Sequence, residues 1–277
     1  MKTIRIKTRA KINIGLNIIG KRPDGFHNIE TFFYPIKLFD YLTFSLSKSF
    51  KFKSNIEYLN KDLDNTIIKA KNILEDITGK KLNFQIELEK NIPIGAGMGG
   101  GSSDGAAALL ALNKLFELKL SKQKLFKSAL KIGSDVPYFI NPQPCFAISR
   151  GEVIQKLKFN IPFPILIVNP GIHVSTKWAY ENISPRKPRY HLFNLPAIQP
   201  NKFKALKELV TNDFEEVVFK KYPRIQNIKE SLYNSGAIFV LMTGSGSTVY
   251  GIFKNIKLAY KAEEKFMKNC FTYINKP

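Results

Sequence analysis

The chain has 277 residues, 44% of them hydrophobic and 12% aromatic, enough to bury one large core or two modest ones and too much for a disordered polymer. Its formal charge of +21 comes mostly from lysines scattered singly through both halves, a pattern that suits a solvated surface and anionic small molecules better than nucleic acid. Two cysteines far apart, without a CxxC pair, and a start with charges at every second or third position predict a reduced cytoplasmic protein, without a signal peptide or a membrane span of ~20 apolar residues.

From Lys11 to Ile18, the apolar Ile12, Ile14, Leu16 and Ile18 alternate with Lys11, Asn13, Gly15 and Asn17. Period two predicts a strand with one face in the core. The other face presents an amine and two amides, with Gly15 leaving room between the amides for something to approach. "KRPDGFHN" follows as a Pro and Gly turn. Ile67, Ala70, Leu74 and Ile77 have helical spacing, and Gly79 stops that helix. Leu82, Phe84, Ile86 and Leu88 alternate again, so a strand delivers the chain to "NIPIGAGMGGGSSDGAAALLALNKLF". Ser121 caps a helix carrying Leu125, Phe126 and Ala129, which ends at Gly133 before "GSDVPYF".

The second half begins with a buried strand at "PILIVNPG" and a short helix from about Ser175. "SPRKPRYHLFNLPAIQP", rich in proline and short of pattern, reads as a long surface connection. Helices near 201–210 and 223–234, the hairpin-like "AIFVLMTGSGSTVYGIF" and a helix from about Lys257 make a second layered unit. The expected domains are 1–160 and 161–277.

Five glycines fall in the seven positions from Gly95 to Gly101. Each destabilises regular structure by roughly 0.5–1 kcal/mol against alanine, so the cluster needs a reason. "GAGMGG" satisfies G-x-G-x-x-G between a strand and a helix, the context of a dinucleotide fold. Pro93 intervenes, however, and Glu117 sits at a helix end instead of closing a second strand, so the dehydrogenase reading loses ground. A Walker loop and protein-kinase signatures are missing. What stays is a run of bare amides ahead of Ser102, Ser103 and Asp104, which open a helix; such an end favours phosphate oxygens. Close helix packing explains one or two glycines but hardly five. Gly244, Ser245 and Gly246 form a second glycine turn able to close on the same ligand, though it reads equally as a hairpin turn.

"IPIGAGMGGGSSDGAAAL" resembles the phosphate-binding motif of the GHMP kinases, which include galactokinase, homoserine kinase, mevalonate kinase and phosphomevalonate kinase. "TRAKINIGLNIIGKRPDGFHNIET" and "GSDVPYF" narrow the resemblance to the branch that phosphorylates a cytidine diphosphate-linked methylerythritol. It covers most of the chain, with "MTGSGSTVYGIF" as the C-terminal motif.

The resemblance implies an α+β fold in two parts, an N-terminal ribosomal-protein-like mixed unit and a C-terminal ferredoxin-like unit, with the active site in the cleft between. It implies ATP as phosphoryl donor, accompanied by Mg2+, a small-molecule acceptor, and no nucleic-acid or membrane partner. ATP would be bound along Pro93, Ile94, Gly95, Ala96, Gly97, Met98, Gly99, Gly100, Gly101, Ser102, Ser103 and Asp104. Lys11 matches the cation of the reaction centre and Asp135 the base paired with it; read locally, the one is a solvated strand lysine and the other a helix cap. Phe26 and His27 match positions set against the cytosine, with Tyr180 on the opposite face of the ring, and Asn13 and Thr176 hold polar parts of the acceptor. Phe26 stands where tyrosine is more usual, Met98 where leucine is, and Gly105 where alanine or asparagine is. Rival readings are another GHMP kinase such as homoserine kinase, which would not need "PDGFH", and a basic nucleic-acid-binding protein with steeply salt-dependent affinity.

Overall fold

The alternation at 11–18 belongs to a longer strand, β1 (Thr3–Lys21), and the turn after it leads directly into β2 (His27–Leu46). Asp24 closes the turn by accepting the N–H of Phe26 at 3.2 Å, with Gly25 at φ +83°. This computed structural model describes residues 2–188, 190–197, 203 and 206–277. The chain forms two compact units that interleave along the sequence. One comprises Met1–Ala10, Leu38–Ile94 and Gly99–Pro142, the other Lys11–Lys37, Gly95–Met98 and Gln143–Pro277. Neither is a single stretch, because β1 and β2 each give one end to each unit.

In the first unit, β4 (Phe84–Glu89) pairs antiparallel with the end of β2, from Tyr41↔Glu89 to Leu46↔Phe84, and β3 (Lys51–Ser54) pairs parallel with β4. Asn65 caps α1 (Thr66–Thr78) by accepting the N–H groups of Ile67 and Ile68, and Gly79 ends it in the left-handed conformation. α2 (Gly100–Leu115) starts earlier than the Ser102–Asp104 opening read from the sequence. Ser121 caps α3 (Lys122–Ile132) as expected, and α4 (Val136–Phe139) is a single turn. Leu42, Phe44, Phe84, Ile86 and Leu88 from the strands and Ile67, Leu74, Leu109 and Leu112 from the helices are buried. Gly105 serves packing: a Cβ there would lie 3.0 Å from Thr66 Cβ, so the glycine lets α1 close on α2.

In the second unit, the first part of β2 pairs with β5 (Cys145–Ser149), from Ile29↔Ser149 to Phe33↔Cys145, and β5 pairs with β6 (Val153–Lys156). A separate antiparallel sheet combines β7 (Ile165–Asn169), β8 (Phe239–Met242), β9 (Val249–Ile252) and β10 (Phe271–Asn275) in the order β10-β7-β9-β8. With it come α5 (Thr176–Asn182), α6 (Phe214–Lys221), α7 (Pro223–Asn234) and α8 (Ile256–Glu263). Leu166, Val168, Phe214, Ile225, Leu232, Val240 and Ala259 belong to one core cluster. The sheet β10-β7-β9-β8 and its helices fall in the stretch read as layered from the sequence, and the unit also takes in 11–37, 95–98 and 143–160.

Three expectations need correction. The polar face of 11–18 is not open, since Lys11, Asn13 and Asn17 are all buried. The room at Gly15 is taken by the protein itself: a Cβ there would come within 2.5 Å of Leu192 and 3.0 Å of Val210. The connection after residue 183 is correspondingly not all surface, because Leu192 and Leu195, in a 3-10 turn over Leu192–Ala197, are fully buried. Of the helix expected near 201–210, residues 201, 202, 204 and 205 lie outside the described residues, and 206–208 form a 3-10 turn.

Candidate active site

Lys11 is buried on β1, in the second unit. Its ammonium donates to Asn13 Oδ1 at 2.6 Å and to the Gly97 carbonyl at 3.1 Å, and lies 5.2 Å from the centroid of Phe33. Its backbone N–H donates to Met98 O at 3.0 Å. Asn13 is fixed on every side. Its Nδ2 donates to Thr31 Oγ1 at 2.8 Å, its N–H donates to Thr243 Oγ1 at 2.9 Å, and its carbonyl accepts the Tyr250 hydroxyl at 3.0 Å. Thr243 Oγ1 also stands 3.1 Å from both Asn13 Oδ1 and Gly97 O. Buried polar groups are stable only when satisfied in this way, and a satisfied network holds its members in one geometry.

The two glycine turns meet within this unit. A Cβ on Gly97 would fall 2.0 Å from Thr243 O, and a Cβ on Gly244 would fall 2.9 Å from Gly97 Cα. Backbone touches backbone there, so the fold itself requires those two glycines. Behind them, Thr176 Oγ1 lies 2.9 Å from Ser245 Oγ, Ser247 donates to Ile172 O at 2.5 Å, and the His173 ring covers Gly95. Thr176, expected against the acceptor, is thus also tied to the second turn.

The remaining glycines open α2 in the first unit. Gly99 occupies the N-cap position at φ +71°, with no side-chain cap, so the first-turn amides look for another partner. Gly100 is packed against Lys90 and Ile92, whereas a Cβ on Gly101 would meet nothing within 4 Å. Ser102 and Ser103 continue the helix. The Asp104 side chain turns inward, pairing with Lys90 at 2.7 Å and accepting the Thr8 hydroxyl at 3.1 Å. Burial pushes its carboxyl up to about 7 in spite of Lys90. Asp135 stands at the N-cap position of α4, half-buried, and its side chain caps no amide of that helix, so the helix-cap reading of it does not hold.

Around the "PDGFH" turn, His27 is buried and its ring stacks on Tyr180, 4.9 Å between centroids and 20° between planes. The two rings expected on either side of a base here lie on each other. Burial, and after it the charge of Lys21, pushes the His27 imidazole below its ordinary value, so it is neutral near pH 7. Phe26 is 46% exposed, with the Arg150 guanidinium 3.8 Å above its ring. Arg150 was not legible as part of this site; its Nε is buried without a hydrogen-bond partner. Lys90 and Asp40 were likewise missed, although each is a charge on the core-facing phase of an alternating strand.

The same features recur in known proteins. The profile of the GHMP kinases N terminal domain matches residues 65–142, and that of GHMP kinases C terminal matches 194–271. A 4-diphosphocytidyl-2-C-methyl-D-erythritol kinase of Prosthecochloris aestuarii is 40% identical over 270 residues, 96% of this chain and 94% of that protein. The crystal structure of a 4-(cytidine 5'-diphospho)-2C-methyl-D-erythritol kinase superposes with a TM-score of 0.82 at 29% identity, covering 98% of both chains. Homoserine kinase from Cytophaga hutchinsonii shares the fold at a TM-score of 0.73 and 18% identity, over 98% of this chain and 94% of that one. The chain therefore belongs to the GHMP kinases and, within them, to the family of the 4-diphosphocytidyl-2-C-methyl-D-erythritol kinases.

Proposed function

We propose that this protein transfers the γ-phosphoryl group of ATP to the 2-hydroxyl of 4-diphosphocytidyl-2-C-methyl-D-erythritol, giving the 2-phosphate and ADP in non-mevalonate isoprenoid precursor synthesis. The observation that carries it is the 40% identity along nearly the whole chain to a kinase of that name. The residues supply what phosphoryl transfer needs, which is positioning and charge neutralisation.

In this reading the amides from Gly95 to Ser102, within the segment Pro93–Asp104, cradle the triphosphate. Lys11 neutralises charge growing near the γ-phosphate. Asp135 accepts the hydroxyl proton as the acceptor oxygen bonds to phosphorus and the bond to the bridging oxygen of ADP breaks. Asn13 and Thr176 hold polar parts of the acceptor, and Gly244–Gly246 closes over it. Phe26 stacks on the cytosine, His27 offers its neutral edge, and Tyr180 holds that imidazole from behind. Magnesium enters with the nucleotide; among the described residues no group of three or more His, Cys, Asp or Glu side chains is arranged to hold a metal.

We propose 1–160 as the stretch that carries the catalytic residues and 161–277 as the C-terminal stretch, although the compact units interleave across that boundary, and the cytoplasm as the compartment, where cysteines such as Cys145 and Cys270 stay reduced. The test offers purified protein ATP with the cytidine substrate, homoserine or mevalonate, following ADP release and identifying the phosphorylated carbon by phosphorus NMR. Turnover is expected with the cytidine substrate alone. Turnover with homoserine and none with the cytidine substrate would overturn the assignment.

A further inference from the structure

β4 places Phe84, Ile86 and Leu88 inward, and the next inward position is Lys90, a charge where the pattern calls for an apolar side chain. Its buried ammonium bridges Asp40 Oδ2 and Asp104 Oδ2, the latter at 2.7 Å. The other oxygen of Asp40 accepts the N–H groups of Asn91 at 2.6 Å and Ile92 at 2.8 Å. Thr8 holds Asp104 from the opposite side. A Cβ on Gly100 would lie 2.9 Å from the Lys90 ammonium and 2.9 Å from Ile92 Cγ2. The ammonium of Lys90 is thus joined through Asp40 to the amides of 91–92, just before the glycine stretch, and lies directly against Gly100 and Asp104 in the first turns of α2.

Stability alone is a weak reason for such a group. Desolvating three charges offsets most of their attraction, and buried ion triads are often replaced by apolar side chains with no loss. What an apolar substitute would not supply is a fixed spacing between the two ends of the stretch, set by directional charge-assisted hydrogen bonds. A nucleotide binds best to amides already in place, because ordering them on binding subtracts from affinity.

We propose that Lys90, held by Asp40 and Asp104, is a positioning residue for nucleotide binding: it fixes the distance between the entry at 90–92 and the first turn of α2, so that the bare amides from Gly100 onward are set before the triphosphate arrives. Lys90 itself does not touch the nucleotide. The proposal rests on the reading that this glycine stretch binds ATP.

The test compares Lys90→Met, Asp104→Asn and Gly101→Val in the full chain, with steady-state kinetics for both substrates and a thermal melt for each variant. Lys90→Met is expected to raise the KM for ATP about tenfold, and Asp104→Asn three- to tenfold, with kcat and the KM for the cytidine substrate within about twofold. A merely structural role would lower the melting temperature while leaving that split unmoved. Folded Lys90→Met and Asp104→Asn with the wild-type KM for ATP, or with both KM values rising together, would overturn the proposal; should Lys90→Met fail to fold, Asp104→Asn decides. Gly101→Val fills the open space at the first turn. If it leaves ATP binding intact, the ATP reading of the stretch fails; if it abolishes binding while the other two variants leave the ATP KM untouched, only the positioning role fails.

Discussion

Lys11 and Lys90 are both buried, and each is set against the backbone of the glycine stretch within its own unit, yet they are held differently. Lys90 lies between the carboxylates of Asp40 and Asp104. Lys11 donates to an amide oxygen of Asn13 and to the peptide carbonyl of Gly97, and the Thr243 hydroxyl bridges those two acceptors. Lys90 ties β4 to β2 and α2, and Lys11 ties a cation directly to the backbone proposed to carry the phosphates. Burial of a lysine by itself assigns no role, and the chemistry of its partners does.

Turnover gives the largest contrast. Lys11→Ala and Asp135→Asn are each expected to lower kcat on the order of 10²–10⁴-fold, whereas Lys90→Met acts on the KM for ATP. Near-normal turnover in Lys11→Ala, with the melt unchanged, would erase the distinction between the two lysines.

Glycine substitutions sharpen it next. Gly97→Ala should lose about 3 kcal/mol of stability, because its Cβ would sit 2.0 Å from Thr243 O on a backbone at φ +75°. Gly101→Ala, with open space around it, should gain up to ~1 kcal/mol through helix propensity. Denaturant titration of both variants separates a glycine required by packing from one required by a ligand; equal stabilities would mean that the contact between the two glycine turns is not formed in solution.

Acceptor binding is a smaller effect. Tyr180→Ala removes the ring behind His27 and should raise the KM for the cytidine substrate with a loss of roughly 1–3 kcal/mol, leaving the KM for ATP in place. An unchanged acceptor KM would take Tyr180 out of the site.

The pH dependence of stability is the finest probe. Burial pushes the folded carboxyl of Asp104 up to about 7, above the ordinary carboxylate range, so the folded state holds the proton longer. Its contribution to stability is full below the unfolded value and is lost as pH rises toward 7, with a slope of at most about 1.4 kcal/mol per pH unit. His27 works in the opposite sense: its lowered value means stability present above the ordinary histidine value and lost as pH falls through the folded one. Comparing wild type with Asp104→Asn cancels His27. The variant should show a flatter fall from pH 4 to 7, and identical profiles would mean that Asp104 ionises normally.

Much of this was written in the chain. Ser121 and Gly79 mark helix ends by local hydrogen bonds and backbone freedom, which need no distant partner, and both do so in the structure. β4 alternates cleanly because only one of its faces is buried. β2 gave no signal because both faces of its first half are buried, so residues from Ile29 to Tyr34 lose the period of two altogether. β3, β5 and β6, only four or five residues long, are too short for a pattern to emerge.

The same boundary runs through the site. The glycine spacing, the serines behind it, Lys11, Asp135 and the "PDGFH" turn stand out in the sequence as the proposed site, because phosphate binding and proton transfer restrict which residue types can serve. Asp40 and Lys90 were missed: nothing local marks them as partners of each other or of Asp104, since 50 residues separate the first two and 14 separate Lys90 from Asp104. Sequence by itself determined the family and helix ends such as Ser121 and Gly79, which depend on local spacing and side-chain type. Only the tertiary structure decided that Gly15 makes room for Leu192, that Gly97 and Gly244 make room for each other, and that Lys90 closes on two carboxylates. Those facts arise from contacts between distant segments, and close packing leaves no mark of its partner at the residue that accommodates it.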